Sequence, residues 1–244
     1  MTWGELEAEV RRRHDAGRPV EFWWRDDDAT ACNEALERLL GLSRLHRVPL
    51  ALAVIPQDAG AELFELLHEH VTVLQHGTDH RNRAAAGEKK TEYPGAEPAD
   101  AALQRISSGT AKLQSLAGGR FLPVLAPPWN RMRKDLLDKL PALGIRGISA
   151  YGAQARREAA PGLRQVNTHV DIVAWRRGRR FVGEEQALAQ ALKWLANDGP
   201  VGWLTHHAVH DAAAWDFLAR LFTMQDVRWR SAAEAFSYTA PAHG

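Results

Sequence analysis

VEFWWRDDD, residues 20–28, is the segment that decides the fold class, because an apolar run ends abruptly in four charged side chains. Its apolar part, Val20–Trp24, has the length and aromatic content of a buried β-strand. The three aspartates Asp26–Asp28 follow where that strand ends. Since binding and catalytic groups of parallel α/β proteins gather at the carboxyl ends of strands, this segment predicts both a strand and part of a site.

The same pattern recurs along the chain. Short apolar runs alternate with longer stretches of helical periodicity, which predicts βαβ units around a parallel sheet. The predicted strands are Val20–Trp24, Pro49–Ile55, Val71–Gln75, Phe121–Ala126, Ile145–Ser149, Val170–Trp175 and Val201–Thr205, with a further candidate at Val227–Trp229. The predicted helices are Cys32–His46, Ala61–Glu69, Ala99–Leu116, Arg133–Leu143, Glu184–Asn197 and Ala212–Thr223. Segments 81–98 and 152–168 are predicted loops.

Composition and charge limit the class of protein. The 244 residues contain no Pro/Gly/Ser-rich linker, so we expect one domain, residues 1–244. A net charge of +1 gives no electrostatic reason to expect nucleic acid or a membrane as a partner. Cys32 is the only cysteine, which excludes a disulfide framework, and the absence of an apolar leader makes a cytoplasmic location the expectation. The basic run at residues 176–180 is interpreted as a solvated face in preference to an anion site.

Polar side chains stand at the ends of five predicted strands. They are Asp26–Asp28, His76, the segment Pro127–Arg131, the pair His169 and Asp171, and the pair His206–His207. Scattered surface charge would not keep this phase with the strands. We therefore expect one shared site at one end of the sheet.

The motif His76-Gly-Thr-Asp-His80 suggests that this site binds a metal. Histidines four residues apart share one face of a helical turn, so both imidazoles can reach one ion. Three adjacent aspartates could instead cap the following helix, but carboxylates this close repel one another unless a cation neutralises them. The sequence thus predicts one divalent ion bound by His76, His80 and a carboxylate, with zinc expected and nickel or cobalt left open.

Taken together, these motifs resemble the polysaccharide deacetylase family (carbohydrate esterase family 4). The resemblance spans residues 22–207 and implies a distorted (β/α) barrel, here with about seven parallel strands. It implies that Asp27 is the general base, that Asp28 is the metal ligand beside His76 and His80, and that His206 in Leu204-Thr205-His206 is the general acid. The expected substrate-binding residues are Pro128, Trp129, Asn130, Arg131 and Trp175, and the remaining motif residue is Asp171.

Two positions depart from the family pattern. Gly77 replaces a hydroxyl residue of the second motif, and Ala126 replaces the third motif's arginine, which in the family steadies the catalytic aspartate. Arg25 and Arg131 are the side chains that could take its place. Because three aspartates match a two-residue motif, Asp26–Asp27 is the alternative register. His207 is likewise the alternative to His206.

These residue types suit amide hydrolysis. A bound ion activates water and polarises a carbonyl, a carboxylate takes a proton, and an imidazole returns one to the leaving amine. Asp171 is expected to favour the protonated form of His206. The predicted reaction is removal of an acetyl group from an N-acetylated sugar or a related small amide. Two alternatives remain: a non-catalytic carbohydrate-binding relative, and another metalloenzyme with a two-histidine, one-carboxylate site.

Overall fold

The computed structural model describes residues 1–197 and 199–238 and shows an α/β architecture. The single predicted domain, residues 1–244, therefore includes residues outside these ranges. The helices are α1 Trp3–Asp15, α2 Glu34–His46, α3 Ala61–Glu65, α4 Ala99–Ala117, α5 Lys134–Leu137, α6 Glu184–Leu195, α7 Ala212–Leu221 and α8 Ala232–Ala235. The strands are β1 Val20–Ala29, β2 Leu50–Val54, β3 Val71–His76, β4 Phe121–Ala126, β5 Gly147–Ile148, β6 Glu158–Ala160, β7 Leu163–Gln165, β8 Val170–Asp171, β9 Val173–Ala174, β10 Arg180–Phe181, β11 Val201–Thr205 and β12 Val227–Trp229.

The central sheet is mostly parallel, which confirms the predicted fold class. Its strand order is β6-β7-β5-β4-β3-β2-β1-β11-β8, and β12 also pairs with β1. Every pairing from β7 through β8 is parallel, and only the pairing of β6 with β7 is antiparallel. The strands β9 and β10 form a separate antiparallel hairpin. Parallel neighbours bring their carboxyl ends to the same edge of the sheet, where the predicted site residues lie.

One extended stretch, residues 163–171, connects the two ends of this sheet. It begins as β7 beside β5 and ends as β8 beside β11. Between them, the Val166 amide donates to the Ile148 carbonyl at 3.1 Å, and the His169 amide donates to the Gly202 carbonyl at 2.6 Å. Counted as one strand, this stretch gives seven parallel strands along the path from β7 to β8, and β12 is a further parallel strand beside β1.

His169 holds that stretch against β11 through its side chain as well. Its Nδ1 accepts a hydrogen bond from the Gly202 amide at 2.9 Å. The close approach requires glycine, because a Cβ at position 202 would lie 2.7 Å from the Thr168 Cα. Burial lowers the pKa of His169 to about 4. The neutral ring is the form that can accept at Nδ1, so this contact depends on pH.

We expect the His169→Asn variant to lose part of the pH dependence of stability. His169 takes up its proton near pH 6.5 when unfolded but only near pH 4 when folded. Protonation therefore favours the unfolded chain. As the pH is lowered from 6.5 to 4, the free energy of unfolding decreases by about 2–3 kcal/mol. Asparagine keeps an acceptor for Gly202 but does not titrate. Urea unfolding from pH 7.5 to pH 4 measures the slope, and an unchanged slope in the variant would contradict the assignment.

The two faces of β1 have different partners. Phe22 and Trp24 belong to the apolar layer that includes α2, α6 and α7, whereas Trp23 points to the other face. There Trp23 meets the ring of Phe236 at 6.1 Å between centroids in an edge-to-face arrangement. Alternation along a strand explains why neighbouring tryptophans are both buried yet belong to different clusters. The face of the sheet that carries Trp23 is therefore packed partly by Phe236, which comes late in the sequence.

Several element bounds differ from the sequence prediction for local reasons. The predicted strand Val170–Trp175 is interrupted because the Asp171 carboxylate accepts from the Val173 amide at 2.9 Å, which bends the chain between β8 and β9. The predicted helix Arg133–Leu143 breaks into α5 and a 3₁₀ turn at Leu140–Leu143, since Pro141 cannot donate to a helix. Within the described residues, no helix combines the length and apolarity that crossing a bilayer requires.

Candidate active site

The predicted site residues converge at the carboxyl edge of the parallel sheet. Asp28 lies at the end of β1, and His76 is the last residue of β3. The turn Pro128–Asn130 follows β4, and His206 follows β11 directly. The structure thus brings together residues that lie far apart in the sequence, in the place that the strand ends predict.

The three adjacent aspartates have three different sets of contacts. Asp26 and Asp27 follow the strand alternation, but Asp28 has a φ of 70°, and the pairing of β1 with β2 shifts register between Asp26 and Ala29. A left-handed residue is uncommon outside glycine and turns its side chain away from the extended direction. This irregularity allows Asp27 and Asp28 to serve one site although they are neighbours in a strand.

Asp28, His76 and His80 form the one group of metal-ligand type found among the described residues. Asp28 Oδ1 lies 3.0 Å from His76 Nε2 and 3.2 Å from His80 Nε2, and the three ligand atoms lie within 4.8 Å of one another. His76 is buried, and the other two are partly exposed. Two imidazole nitrogens and one carboxylate oxygen are a donor set that suits a divalent ion of the zinc class and leaves a coordination position for water.

Charge around this group favours a cation. Burial opposes ionisation of Asp28, yet hydrogen bonding and the charge of His76 hold its pKa well below the usual range. Burial likewise opposes protonation of His76, but the carboxylates of Asp27 and Asp28 raise its pKa. Burial and the neighbouring His76 lower the pKa of His80. The carboxylates beside these imidazoles therefore favour a positive charge at this position.

Glu92 fixes the backbone between His76 and His80. Its Oε1 accepts from the Thr78 amide at 2.9 Å and from the Asp79 amide at 3.4 Å. Glu92 is fully buried, and burial raises its pKa. Gly77 has a φ of 60°, and a Cβ there would lie 2.1 Å from Glu92 Oε2. The departure at Gly77 thus has a steric cause, and a hydroxyl residue would not fit without rearrangement.

Of the two arginines considered as replacements for the third-motif arginine, Arg25 is the one that contacts Asp27. Its Nη2 donates to Asp27 Oδ2 at 3.0 Å, and its Nε lies 2.8 Å from Asp27 Oδ1, so the guanidinium holds the carboxylate by one hydrogen bond and one close ion-pair contact. Arg25 also donates to Ser149 and to Asn130 Oδ1. Arg131, the other possibility, donates instead to the Lys90 carbonyl at 2.8 Å. The orienting cation therefore comes from β1 itself.

His206 faces Asp27 across the site. Its Nε2 lies 3.9 Å from Asp27 Oδ2, and its ring meets the edge of Trp175 at 4.6 Å between centroids. Asp171 accepts from Trp175 Nε1 at 2.8 Å and from the Val173 amide. Burial raises the pKa of Asp171, although the charge of His206 opposes the shift. Trp175 contacts both residues, and no hydrogen bond joins Asp171 directly to His206 in the described part of the chain; the influence of Asp171 on His206 stays a prediction.

Asp26 and His207 form a second, separate pair. Asp26 Oδ1 lies 2.5 Å from His207 Nδ1, and its Oδ2 accepts from the His207 amide and from Thr205. Both side chains are buried. Burial opposes both charges, yet each partner holds the other ionised, which lowers the pKa of Asp26 and raises that of His207. The alternatives Asp26 and His207 thus meet each other rather than the cluster of Asp28, His76 and His80.

The predicted substrate-binding residues occupy the rim of the site. Trp129 and Asn130 adopt φ values of 55° and 56°, and the Trp129 ring lies 4.5 Å from that of His80. Pro128 is buried, close to where a Cβ at position 77 would lie. Trp175 is 41% exposed. Trp129 and Trp175 therefore contact different members of the site, Trp129 the metal-ligand candidate His80 and Trp175 the residue His206.

Comparison with known proteins gives a fold but no close relative. No protein-family model and no curated protein matches the chain. Among solved structures, a peptidoglycan N-acetylglucosamine deacetylase matches with 16% identity, a TM-score of 0.59, and coverage of 90% of this chain and 89% of that one. A peptidoglycan deacetylase from Bacillus subtilis matches with 15% identity, a TM-score of 0.56, and 90% of each chain. A family 4 carbohydrate esterase from Streptomyces lividans, solved with acetate, matches with 15% identity, a TM-score of 0.52, and coverage of 86% and 91%.

These structural neighbours are the proteins that the sequence motifs resemble. The fold of polysaccharide and peptidoglycan deacetylases is therefore the fold of this chain, and the expectation drawn from the motifs is confirmed at that level. Identities of 13–17% establish the fold alone. What the site does must be argued from its own residues.

Proposed function

We propose that the protein is a metal-dependent hydrolase that removes an acetyl group from an N-acetylated sugar or a related amide. The observation that carries the proposal is the convergence of the cluster Asp28, His76 and His80 with Asp27 and His206 at one edge of the sheet. The structural neighbours support this class, since they are deacetylases. Each residue has the chemistry that the reaction requires.

Asp28, His76 and His80 would hold the metal ion. When bound, such an ion lowers the pKa of a coordinated water and polarises a carbonyl. We propose zinc, with nickel or cobalt as the alternatives that the same nitrogen and oxygen donors accept. The left-handed backbone at Asp28 and His80 supports a binding role, because strained residues persist where the surrounding structure holds them for function.

Asp27 and His206 would handle the protons. The Asp27 carboxylate, oriented by Arg25, takes the proton of the attacking water. His206 Nε2 then donates a proton to the nitrogen of the leaving amine, and the distance of 3.9 Å between His206 Nε2 and Asp27 Oδ2 leaves both groups in reach of one substrate. Asp171 acts on His206 through charge, and the contact of Trp175 with both residues supports this role.

The contact between Arg25 and Asp27 weakens the case for a non-catalytic relative. The sequence feature that favours that alternative is Ala126, which stands where the family has an arginine. The Arg25 guanidinium nevertheless contacts Asp27 through a hydrogen bond and an ion pair, which supports an orienting role toward the proposed base. The alternative of an oxygenase with two histidines and one carboxylate has no support in the fold, whose structural neighbours are esterases and deacetylases.

Acetate release from N-acetylated sugars tests the proposal. We expect the zinc-loaded protein to deacetylate N-acetylglucosamine derivatives, to lose activity after chelation, and to regain it when zinc is returned. Metal content is measured in parallel by mass spectrometry. Full activity in protein shown to be free of metal would overturn the metal dependence. A metal-loaded protein that releases no acetate from neutral, phosphorylated or carboxylated N-acetyl sugars would overturn the deacetylase assignment.

Replacing His206 with alanine is expected to lower kcat by about 10²–10⁴, because the leaving nitrogen loses its proton donor. Metal content should stay at the wild-type level, since His206 is not among the proposed ligands. His14→Ala, an exposed histidine on α1, is the matched control. A His206→Ala variant with wild-type kcat would show that His206 is not the general acid and would favour His207 in that role.

A further inference from the structure

A surface cavity of about 580 Å³ lies beside Trp175, outside the cluster described above. Its walls come from the β9–β10 hairpin, from α6 and from Tyr151, which follows β5 in the chain. The lining residues include Trp175, Arg176, Arg177, Gln186 and Gln190. The volume falls in the range of pockets that hold small ligands. We call this space the Trp175 cavity.

The Trp175 cavity adjoins the proposed active site on the side of the leaving group. Trp175 lines the cavity, and its ring also contacts His206, which faces Asp27. In the proposed function, His206 donates to the nitrogen of the leaving amine. The part of the substrate attached to that nitrogen must therefore lie on the His206 side, and Trp175 lies between His206 and the cavity it lines.

The charge of the cavity is positive. Arg176 and Arg177 both line it, and within the described residues neither has a carboxylate within 4 Å. The acids at the start of α6 are engaged elsewhere: Glu184 accepts from Trp3 Nε1 at 2.9 Å, and Glu185 meets the amino terminus at 3.4 Å.

The one acid in the cavity wall is also engaged. Both oxygens of Asp171 accept hydrogen bonds, one from the Val173 amide and one from Trp175 Nε1. Arg176 and Arg177 are therefore available to bind a chemical group that enters the cavity. Guanidinium groups are well suited to bind phosphate or carboxylate with paired hydrogen bonds.

Exposed aromatic side chains are concentrated at the same place. Four large hydrophobic side chains of the described residues are exposed, and two of them, Tyr151 at 42% and Trp175 at 41%, line this cavity. The Tyr151 hydroxyl donates to Gln190 Oε1 at 2.9 Å, which fixes the phenol at the rim. Flat apolar faces beside amide groups suit a sugar ring, which needs both stacking and hydrogen bonds.

We infer that the Trp175 cavity binds an anionic group, a phosphate or a carboxylate, carried by the amino sugar from which the acetyl group is removed. The inference rests on the proposed function and narrows its substrate class to anionic N-acetyl sugars. It also changes the interpretation of the basic run at residues 176–180. Its first two arginines form a binding surface instead of a solvated face.

Kinetics with charged and neutral substrates test the inference. The zinc-loaded protein is compared on N-acetylglucosamine, its 1-phosphate and 6-phosphate, and N-acetylmuramic acid, which carries a carboxylate. We expect at least one anionic substrate to have a KM about tenfold lower than the neutral sugar. The double variant R176S/R177S should lose this preference, and R120S, at the opposite end of β4, is the control that should keep it. The phosphate and carboxylate arms distinguish the two sources of negative charge.

Calorimetric binding of the same sugars separates this inference from the proposed function. Equal KM values for charged and neutral sugars, with deacetylation intact, would overturn the inference and leave the deacetylase standing. Binding of an anionic sugar that R176S/R177S weakens about tenfold, without any acetate release, would support the cavity and overturn the deacetylase. If no anionic sugar binds in a manner that depends on Arg176 and Arg177, the inference is wrong.

Discussion

Replacing Asp28 with alanine is expected to abolish both metal binding and turnover. Asp28 Oδ1 lies within 3.2 Å of both histidine nitrogens, so its removal takes away the one anionic ligand and leaves two imidazoles. Loss of the ion removes the activation of water together with the polarisation of the carbonyl, and we expect kcat to fall by about 10³ or more. Zinc affinity is measured by calorimetry and turnover by acetate release.

Asp216→Ala is the matched control for this experiment. Asp216 is an exposed aspartate on α7, so its loss should change neither zinc affinity nor kcat. The circular dichroism spectrum of Asp28→Ala should stay close to wild type, which separates loss of the ion from loss of the fold. Wild-type zinc affinity in Asp28→Ala would mean that another aspartate of the triple is the ligand.

Replacing Asp27 with asparagine is expected to separate chemistry from metal binding. The variant keeps the size of the side chain and leaves the proposed ligands in place, but it removes the carboxylate that Arg25 orients. We expect kcat to fall by about 10²–10⁴ while zinc still binds. Loss of zinc binding in this variant with retention in Asp28→Ala would establish the other register of the aspartates.

Asp26→Asn is the informative comparison, because Asp26 contacts His207 and Thr205 instead of the proposed metal ligands. Asp26 is fully buried and bonded to His207 and Thr205, so weakening it should lower the free energy of unfolding by about 1–3 kcal/mol. Guanidinium unfolding measures this loss. Once the variant is folded, its kcat should stay within about threefold of wild type. A loss of kcat as large as that of Asp27→Asn would place Asp26 in the catalytic machinery.

Much of this candidate site was predictable, because the ends of its strands can be recognised in the sequence. The apolar runs before His76 and His206 end in polar residues, and parallel strands bring such ends together. The two histidines of the second motif were predicted as ligands from their spacing together with the three aspartates at another strand end. The coarse fold followed from the same alternation of strands and helices.

Other features depend on contacts that no local pattern contains. The strand predicted to end at Trp24 continues to Ala29. Three consecutive aspartates are typical of a loop, and their extended conformation results from the pairing of β1 with β2. The backbone at Asp28 is left-handed, which follows from the folded surroundings and not from aspartate itself. Glu92 lies in a polar loop, and nothing in its sequence neighbourhood distinguishes it from an exposed glutamate. Only the folded chain shows that it supports the histidine loop.

The pairing of β1 also determines when this protein can finish folding during synthesis. β1 leaves the ribosome before the other strands of the sheet, yet two of its three neighbours, β11 at Val201–Thr205 and β12 at Val227–Trp229, are made long after it. Asp26 and His207 are 181 residues apart when they meet. Contacts of such long separation form slowly, and the unpaired edge of β1 is open to aggregation until they do. Slowing translation before residue 200 should therefore prolong the vulnerable stage, and a chaperone that shields VEFWW would be most useful at that moment.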